Sequence, residues 1–453
     1  MTILKAGLAK VDITPPAGLD LSGYVLREGK AIGVKDPLFT RAVVFDNGKN
    51  RVAMIVCDLL GFRDTDVEIC RKELQARCGL DRHQIMIAAT HTHSAPATLP
   101  LIGCGEVEPA YVKVLREKIV QAVAEAAQQM RPVYLTTGRT TLTIGLNRRG
   151  NLAKGSMEST QNSKGPVDPE LIVTRISDDE GKIVGAMVNY GCHATTLGPD
   201  NLYISGDYSG YGMNLVERHF GSDMVTLFTN GGGADVNPAP RGNYDYVEQH
   251  GQALAEKVLA LMEQMPDKNP GGFKESKNNL ESELLSLKLE YEPIPSLEQC
   301  ECLIQEYEEK LSQGVSGNQE ITRIEKITKA FLTWAQSLKN KLISGGLEKE
   351  KKIEIQKMVI GDLAVIGLPF EVFARTALVI KSASSYPMTF VVGYSNGDYG
   401  YLPPEEEFGN GGYEVNEAYK FYHQPAAFSR WAEGKVRREC VKLLRGGSQY
   451  YWK

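Results

Sequence analysis

The chain has 453 residues, of which 42% are hydrophobic, and this length is enough to bury a large core. Its formal net charge is −5 and it has no basic stripe interleaved with aromatic residues, so nucleic acid is not expected as a partner. No apolar run reaches about 18 residues and the N-terminal residues lack the pattern of a signal peptide, so we expect a soluble, cytoplasmic protein without an integral membrane segment.

The first 265 residues predict alternating strands and helices. Apolar runs on either side of the turn Asp46-Asn47-Gly48 predict a hairpin whose second strand ends at Asp58. Residues 64–78 carry the apolar stripe of a helix, and Gly79 suits its C-terminal cap. The further predicted helices are 109–130, 208–220 and 244–265, and the further predicted strands are 133–144, 171–176, 183–190 and 224–228.

The pattern changes after residue 265. Residues 266–279 are rich in Pro, Gly, Asn and Lys and predict an exposed connection. Between residues 296 and 343, charged sequence with spaced apolar residues and a break at 314–317 predicts an inserted helical hairpin, packed on the body or on a partner subunit. The remaining predicted elements are a hairpin over 353–366, a helix opened by Glu371, a strand over 388–392 and a helix over 427–444.

Together these elements predict an α/β fold with mixed β-sheets and flanking helices in one large catalytic domain. We assign residues 1–265 to the first part of this domain and residues 351–453 to its second part. Residues 266–350 are the linker and the helical hairpin between them. The hairpin offers a surface through which a homo-oligomer could form.

Two histidines follow a predicted buried strand in the stretch Thr90-His91-Thr92-His93-Ser94. Alternate side chains of extended backbone share a face, so His91 and His93 can point into one site. The chain has only 7 histidines, and two of them are here. The alternative interpretation is that they are surface or capping residues.

Other polar side chains also lie at or beyond predicted strand ends, where active sites of α/β proteins are usually built. Two or three histidines with a glutamate suit a catalytic zinc that keeps one position open. Each residue also has a structural interpretation: Asp58 and Asp235 could orient neighbouring turns, and Glu371 could be a carboxylate in a first helical turn. The candidates are Asp58, His91, His93, Arg148, His193, Asp235 and Glu371.

A glycine run at Asn230-Gly231-Gly232-Gly233-Ala234-Asp235 follows the strand predicted over 224–228. It lacks the Lys-Ser/Thr ending and the spacing of a phosphate-binding loop. We interpret it as backbone that approaches another group closely and has amides free to donate, with Asp235 held nearby.

Six short motifs occur in the order found in the neutral/alkaline ceramidases, and the chain resembles the catalytic domain of that family outside the helical hairpin. The motifs are Thr90-His91-Thr92-His93-Ser94, Gly191-Cys192-His193, Ile204-Ser205-Gly206-Asp207, Asp235-Val236-Asn237-Pro238, Leu368-Pro369-Phe370-Glu371, and Gly400-Tyr401 with Tyr413-Glu414. The resemblance implies zinc-dependent hydrolysis of an amide.

Site roles also follow from the resemblance. It makes His91, His193, Glu371 and Tyr413 the zinc ligands, and Tyr413 is placed by its spacing from Tyr401 and by the following Glu414. His93 and Arg148 would hold the substrate carbonyl and stabilise the oxyanion. Asp235, Glu371 or His93 would relay protons.

The chain departs from the family at the serine proposed there as the nucleophile or as a hydroxyl near the zinc, because Gly231 stands at that position. Metal-activated water is therefore the expected attacking group. The sequence also shows neither the secretion signal nor the C-terminal immunoglobulin-like domain typical of the secreted ceramidases. We expect a small or polar substrate; the alternatives are a ceramide or lipid amidase, a zinc-dependent glycoside or ester hydrolase, and a non-catalytic binding protein.

Overall fold

Strands and helices alternate along most of the chain. The structure is a computed structural model that describes residues 3–150, 161–221, 223–266, 278–313 and 319–445, with only the backbone described for 319–322. The strands are β1 (Lys5–Asp12), β2 (Gly33–Val34), β3 (Phe39–Asp46), β4 (Arg51–Cys57), β5 (Ile85–Ala89), β6 (Arg131–Thr141), β7 (Gly145–Asn147), β8 (Glu170–Asp178), β9 (Ile183–Tyr190), β10 (Tyr203–Ile204), β11 (Val225–Asn230), β12 (Val236–Pro238), β13 (Leu280–Glu290), β14 (Glu350–Ile360), β15 (Leu363–Gly367), β16 (Glu371–Val372), β17 (Met388–Val392) and β18 (Tyr401–Leu402). The helices are α1 (Asp64–Cys78), α2 (Pro109–Gln128), α3 (Asp207–Phe220), α4 (Tyr244–Gln264), α5 (Leu297–Ser312), α6 (Gln319–Ser344), α7 (Ala374–Ala383), α8 (Glu407–Asn410), α9 (Tyr413–Asn416), α10 (Ala418–Phe421) and α11 (Ala432–Leu444).

The largest sheet has eight strands in the order β11-β9-β8-β6-β1-β3-β4-β5. Most neighbours are antiparallel, while β4 with β5 and β9 with β11 are parallel. The sheet curls, so that β11 at one end of the order also contacts β4 and β5 at the other end. This curl brings together loops that are far apart in the sequence.

A second sheet, β13-β14-β15-β17, packs against the inner face of the first. Alternate residues of a strand serve different cores: Val43 faces the second sheet, whereas Val44 packs under α1 and α2. Val365 likewise faces the first sheet, and Ile366 packs under α7 and α11. Burial on both faces explains why these strands are apolar runs rather than alternating patterns. The predicted α/β class, with mixed sheets and flanking helices, is confirmed.

Several predicted elements are confirmed closely. The hairpin at Asp46-Asn47-Gly48 forms β3 and β4, and Gly48 has a φ of 80° in the turn. Helix α1 spans the predicted residues and ends at Gly79, whose φ of 67° is the left-handed conformation of a C-terminal cap.

Several features differ from the expectations, and the last helix, predicted over 427–444, begins only at Ala432. Strand β13 was not predicted; it is an edge strand that pairs only with β14 among the described strands, and its many charged residues conceal the strand pattern. The expectation that Glu371 opens a helix is wrong. Glu371 lies in β16, its amide donates to the Gly400 carbonyl at 2.9 Å, and α7 begins only at Ala374.

The predicted helical hairpin is present as α5 and α6, which pack against each other. Ser296 and Gln299 form a capping box at the start of α5. Trp334 on α6 is buried, and its Nε1 donates to the Gln424 carbonyl at 2.7 Å, so the hairpin is bound to the body of the same chain. The predicted break at 314–317 and nearly all of the predicted connection at 266–279 lie outside the described residues. Among the described helices, none combines the length and the hydropathy needed to cross a membrane.

Candidate metal centre

Two loops at strand ends supply three histidines. His91 and His93 follow β5, His193 follows β9, and Thr92 and Ala194 form a bridge between the two loops. Asn230, the last residue of β11, secures this contact because its side-chain amide donates to the carbonyls of Thr90 at 3.2 Å and Cys192 at 2.9 Å. No role was predicted for Asn230, which stands at the head of the glycine run.

His91 and His93 share one site, as predicted, although by a different backbone path. Their Nε2 atoms lie 3.2 Å apart. His91 has a φ of 67°, so the backbone turns there and is not extended as expected. The ring of Tyr394 stacks on His91 with centroids 3.8 Å apart and holds the imidazole in place.

A backbone carbonyl fixes the orientation of each imidazole. A carbonyl oxygen can only accept, so each Nδ1 carries a proton and each Nε2 of a neutral ring presents a lone pair. Burial lowers the pKa of His193 to about 4 and lowers the pKa of His93 well below its usual value, which keeps both rings neutral near pH 7. The pairs are His91 Nδ1 with Leu60 O at 2.8 Å, His93 Nδ1 with Gly23 O at 3.2 Å, and His193 Nδ1 with Gly233 O at 2.6 Å.

The three imidazoles direct these lone pairs at one point. A ligand nitrogen from each histidine lies within 4.8 Å of the other two. Glu371 Oε2 lies 3.0 Å from His193 Nε2 and 3.5 Å from His91 Nε2. Within the described residues neither Glu371 Oε2 nor His193 Nε2 has a hydrogen-bond partner, and both are buried. Electron-pair donors gathered without a proton between them are satisfied by a cation, so these residues fit a metal ion.

Glu371 is held by two neighbouring groups. Its Oε1 accepts a hydrogen bond from the Tyr422 hydroxyl at 2.6 Å. Strand β16 pairs in parallel with β18, where Tyr401 is the register partner of Glu371. Tyr401 and Tyr413 lie with ring centroids 5.7 Å apart, and both line the cavity beside the histidines. That Tyr413 is a metal ligand stays a prediction. Tyr401 is a second tyrosine whose hydroxyl group belongs to the same part of the cavity.

Arg148 projects into this cavity from the end of β7. Its guanidinium donates to Glu414 Oε1 at 2.9 Å, to Asn237 Oδ1 at 3.2 Å and to the Tyr401 hydroxyl at 2.8 Å. These contacts fix the guanidinium in one orientation beside His93, which lines the same cavity. A fixed cation at this place can stabilise negative charge that develops on a bound carbonyl.

Asp235 connects the segment that carries Arg148 to the segment that follows Glu371. Its carboxylate accepts hydrogen bonds from Asn147 Nδ2 and from the Ala374 amide, both at 2.8 Å, and its carbonyl accepts from the Arg148 amide at 2.8 Å. Burial raises the pKa of Asp235 to about 6. These contacts give Asp235 a positioning role for Arg148 and for the segment after Glu371, while proton relay by Asp235 stays a prediction.

Asp58 forms an ion pair with Arg41 at 2.8 Å. This contact agrees with a structural role for Asp58, the alternative to a role in the site.

The glycine run brings backbone close to its neighbours, as expected. A Cβ at Gly233 would lie 2.8 Å from the Cys192 nitrogen, and a Cβ at Gly232 would lie 2.5 Å from the Ala377 Cβ. At Gly231 the nearest atoms would be 3.4 Å away, which is ordinary contact. Packing therefore does not require glycine at position 231.

The cavity above the histidines has a volume of about 350 Å³ and combines loops from the whole chain with α6. Tyr24 lies over His93 with ring centroids 4.9 Å apart. Helix α6 contributes Ile327, so the hairpin forms part of the cavity wall, although it was predicted only to pack on the body or on a partner subunit. The lining residues are Gly23, Tyr24, Val25, Leu26, His93, Cys104, Arg148, Thr195, Pro199, Asn237, Arg241, Arg323, Ile327, Tyr401, Tyr413, Glu414 and Phe421.

Comparison with known proteins identifies the family. The model of the neutral/alkaline non-lysosomal ceramidase N-terminal domain matches residues 4–261, more than half of the chain. The chain belongs to the neutral/alkaline non-lysosomal ceramidase family. The match covers the loops that carry His91, His93, Arg148 and His193.

The curated ceramidases that the chain matches are distant from it in sequence. The neutral ceramidase of Drosophila melanogaster is 26% identical over 254 residues, and neutral ceramidase A of Dictyostelium discoideum is 27% identical over 257 residues. Each alignment spans 52% of this chain and 36% of the relative, so the chain aligns with about a third of these curated ceramidases. The crystal structure of neutral ceramidase from Pseudomonas aeruginosa has the same fold, with a TM-score of 0.72 and 19% identity over 98% of this chain and 74% of that chain.

Proposed function

We propose that the protein is a zinc-dependent hydrolase that cleaves an amide bond in a small or polar substrate other than ceramide. The observation that carries the proposal is the convergence of three imidazoles, of which His91 Nε2 and His193 Nε2 lie 3.5 Å and 3.0 Å from the buried Glu371 carboxylate. Imidazole and carboxylate ligands suit zinc. Membership of the ceramidase family supports hydrolysis of an amide.

His91, His193 and Glu371 would hold the metal, with Tyr413 as the predicted fourth ligand. A bound divalent metal supplies Lewis acidity and lowers the pKa of water toward about 7. His93 directs an unprotonated Nε2 into the cavity and would accept the proton of the attacking water and return it to the leaving amine. Arg148 would donate to the carbonyl oxygen as it becomes negative.

The cavity supports a small substrate. Its volume of about 350 Å³ is near the lower end of the range for ligand sites. Its walls carry Arg148, Arg241, Asn237 and Glu414 among the apolar residues. A cavity of this size, with these polar and charged side chains between its apolar surfaces, favours a compact polar molecule over the long acyl chains of a ceramide.

Metal analysis of purified protein tests the centre. We expect one bound zinc per chain in the wild type and its loss in His91→Ala and His193→Ala. His219→Ala is the matched control, since His219 is an exposed histidine on α3 away from the site, and it should retain the metal. A metal-free wild type whose stability is unchanged by His91→Ala would contradict the proposal.

Substrate assays test the reaction. The zinc-loaded protein should hydrolyse small polar amides and leave a fluorescent ceramide intact. Turnover of ceramide would contradict the proposed substrate class, and hydrolysis of esters or glycosides alone would contradict the proposed bond. A loaded protein that hydrolyses none of them would be a binding protein on this fold.

A further inference from the structure

The walls of the cavity carry an excess of positive charge. Three arginines and one glutamate line it, which is a formal surplus of two positive charges, although the whole chain has a net charge of −5. Glu414 is shared between Arg148 and Arg149 and therefore does not neutralise the rest of the cavity. A local field of this sign opposes the charge of the whole molecule and attracts anions.

Arg241 is the arginine of this cavity that has no other assigned role. Arg148 is held by Glu414, Asn237 and Tyr401 and is assigned to the scissile carbonyl, and Arg323 has a contact of its own. Arg241 is exposed, and no carboxylate in the described part of the chain forms an ion pair with it. The cavity is thus lined both by the half-buried His93 and by the exposed Arg241, whose guanidinium has no ion pair among the described residues.

The backbone around Arg241 is fixed. The Ala239 amide donates to the Ile144 carbonyl at 2.9 Å, and the Gly242 amide donates to the Thr196 carbonyl at 2.7 Å. Gly242 has a φ of 123°, a conformation that side chains rarely adopt, so the chain turns sharply directly after Arg241. The backbone is held on both sides of Arg241, so little backbone freedom would be lost when its side chain binds a ligand.

We propose that Arg241 determines specificity by pairing with a carboxylate on the substrate, so that the substrate is an amide that carries an acid group. The inference rests on the proposed hydrolase function and adds the class of substrate. A planar guanidinium matches a carboxylate through two parallel hydrogen bonds. The scissile amide then lies deeper in the cavity, beside His93 and Arg148.

Two matched substrates test this inference: N-butanoylglycine and the neutral N-butanoylglycinamide, which share the scissile bond. We expect the wild type to prefer the acid in kcat/KM by about tenfold, the size of one charge-assisted hydrogen bond. Arg241→Gln should abolish this preference, mainly through KM, and Arg241→Lys should retain part of it. Arg77→Gln on α1, an exposed arginine remote from the cavity, is the control and should keep the full preference.

Calorimetry of N-butanoylglycine binding to the His91→Ala protein separates this inference from the hydrolase proposal. Binding that weakens about tenfold when Arg241→Gln is added supports the role of Arg241 even if no amide is hydrolysed. Hydrolysis of both amides with an equal preference in wild type and Arg241→Gln would leave the hydrolase intact and overturn the inference. Equal binding to both proteins would overturn it as well.

Discussion

At the scale of single residues, backbone carbonyls determine the chemistry of the centre. Leu60, Gly23 and Gly233 each accept from one Nδ1 and so direct three lone pairs into the same space. The sequence could predict the histidines, because they are rare and lie at strand ends. It could not predict these carbonyls, because every residue carries one and only the fold selects three.

Tyr422 provides a test of how Glu371 is held. Tyr422→Phe removes the hydroxyl that donates to Glu371 Oε1 and should lower zinc affinity by about 10- to 100-fold, as loss of a group that orients a ligand typically does. Competition with a fluorescent chelator measures the change. Tyr203→Phe, at an exposed tyrosine, is the control. Equal affinity in both variants would show that the hydrogen bond does not orient the ligand.

Gly231 allows a second test, with its neighbour as the control. A Cβ at Gly231 makes ordinary contacts, so Gly231→Ala should leave the free energy of unfolding unchanged or raise it by up to about 1 kcal/mol. Gly232→Ala places a Cβ 2.5 Å from the Ala377 Cβ and should cost about 1–3 kcal/mol. Urea denaturation compares the two. A similar loss in both variants would mean that position 231 is also constrained by packing.

At the scale of elements, the reliable predictions are those in which one segment carries its own signal. The Asn47-Gly48 turn and the Gly79 cap are local and were predicted correctly. Strand β13 was missed because an edge strand tolerates charged residues. The helix after Glu371 was placed too early because the Glu371 amide donates to the carbonyl of Gly400, which lies far along the chain. Arg241 and Ile327 were missed for a similar reason, since only tertiary packing brings them to the histidines.

The helical hairpin should depend on one buried aromatic residue. Trp334→Ala removes a buried indole and its hydrogen bond to Gln424 and should destabilise the protein by about 3–5 kcal/mol. Ile343→Ala on the same helix, at a side chain that is 64% exposed, should change stability by less than about 0.5 kcal/mol. Chemical denaturation followed by circular dichroism checks both. Equal effects would show that the hairpin is not anchored through Trp334.

At the scale of the whole molecule, buried acids connect elements that are distant in sequence. Asp36 follows β2 and accepts from the Tyr244 hydroxyl at 2.6 Å, the Ser205 hydroxyl at 3.1 Å and the Gly206 amide at 2.6 Å, so it joins the segment after β2 to the segment between β10 and α3 and to the start of α4. Burial raises the pKa of Asp36 to about 6, although these hydrogen bonds oppose the rise. The folded protein therefore holds a proton there that the unfolded chain releases near pH 4.

A raised pKa in the folded state stabilises the protein below the pKa of the unfolded chain, and this stability is lost as the pH rises through the folded value. Asp36 should therefore lower the free energy of unfolding by about 3 kcal/mol between about pH 4 and pH 7. Asp36→Asn should lack this slope, and Asp179→Asn, at an exposed turn, should keep it. Urea denaturation at several pH values measures it. Parallel curves for wild type and Asp36→Asn would contradict the assignment.

The helical hairpin is inserted between two neighbouring strands of the second sheet, and this position bears on how the substrate cavity could evolve. Strands β13 and β14 are antiparallel neighbours with Glu290 opposite Glu350, so the chain leaves the sheet and returns to it at the same place. A short turn could join these strands without disturbing either sheet. Because Ile327 of the hairpin lines the cavity, replacing the segment between β13 and β14 would change one cavity wall, and with it the choice of substrate. The loops that carry the histidines would stay as they are.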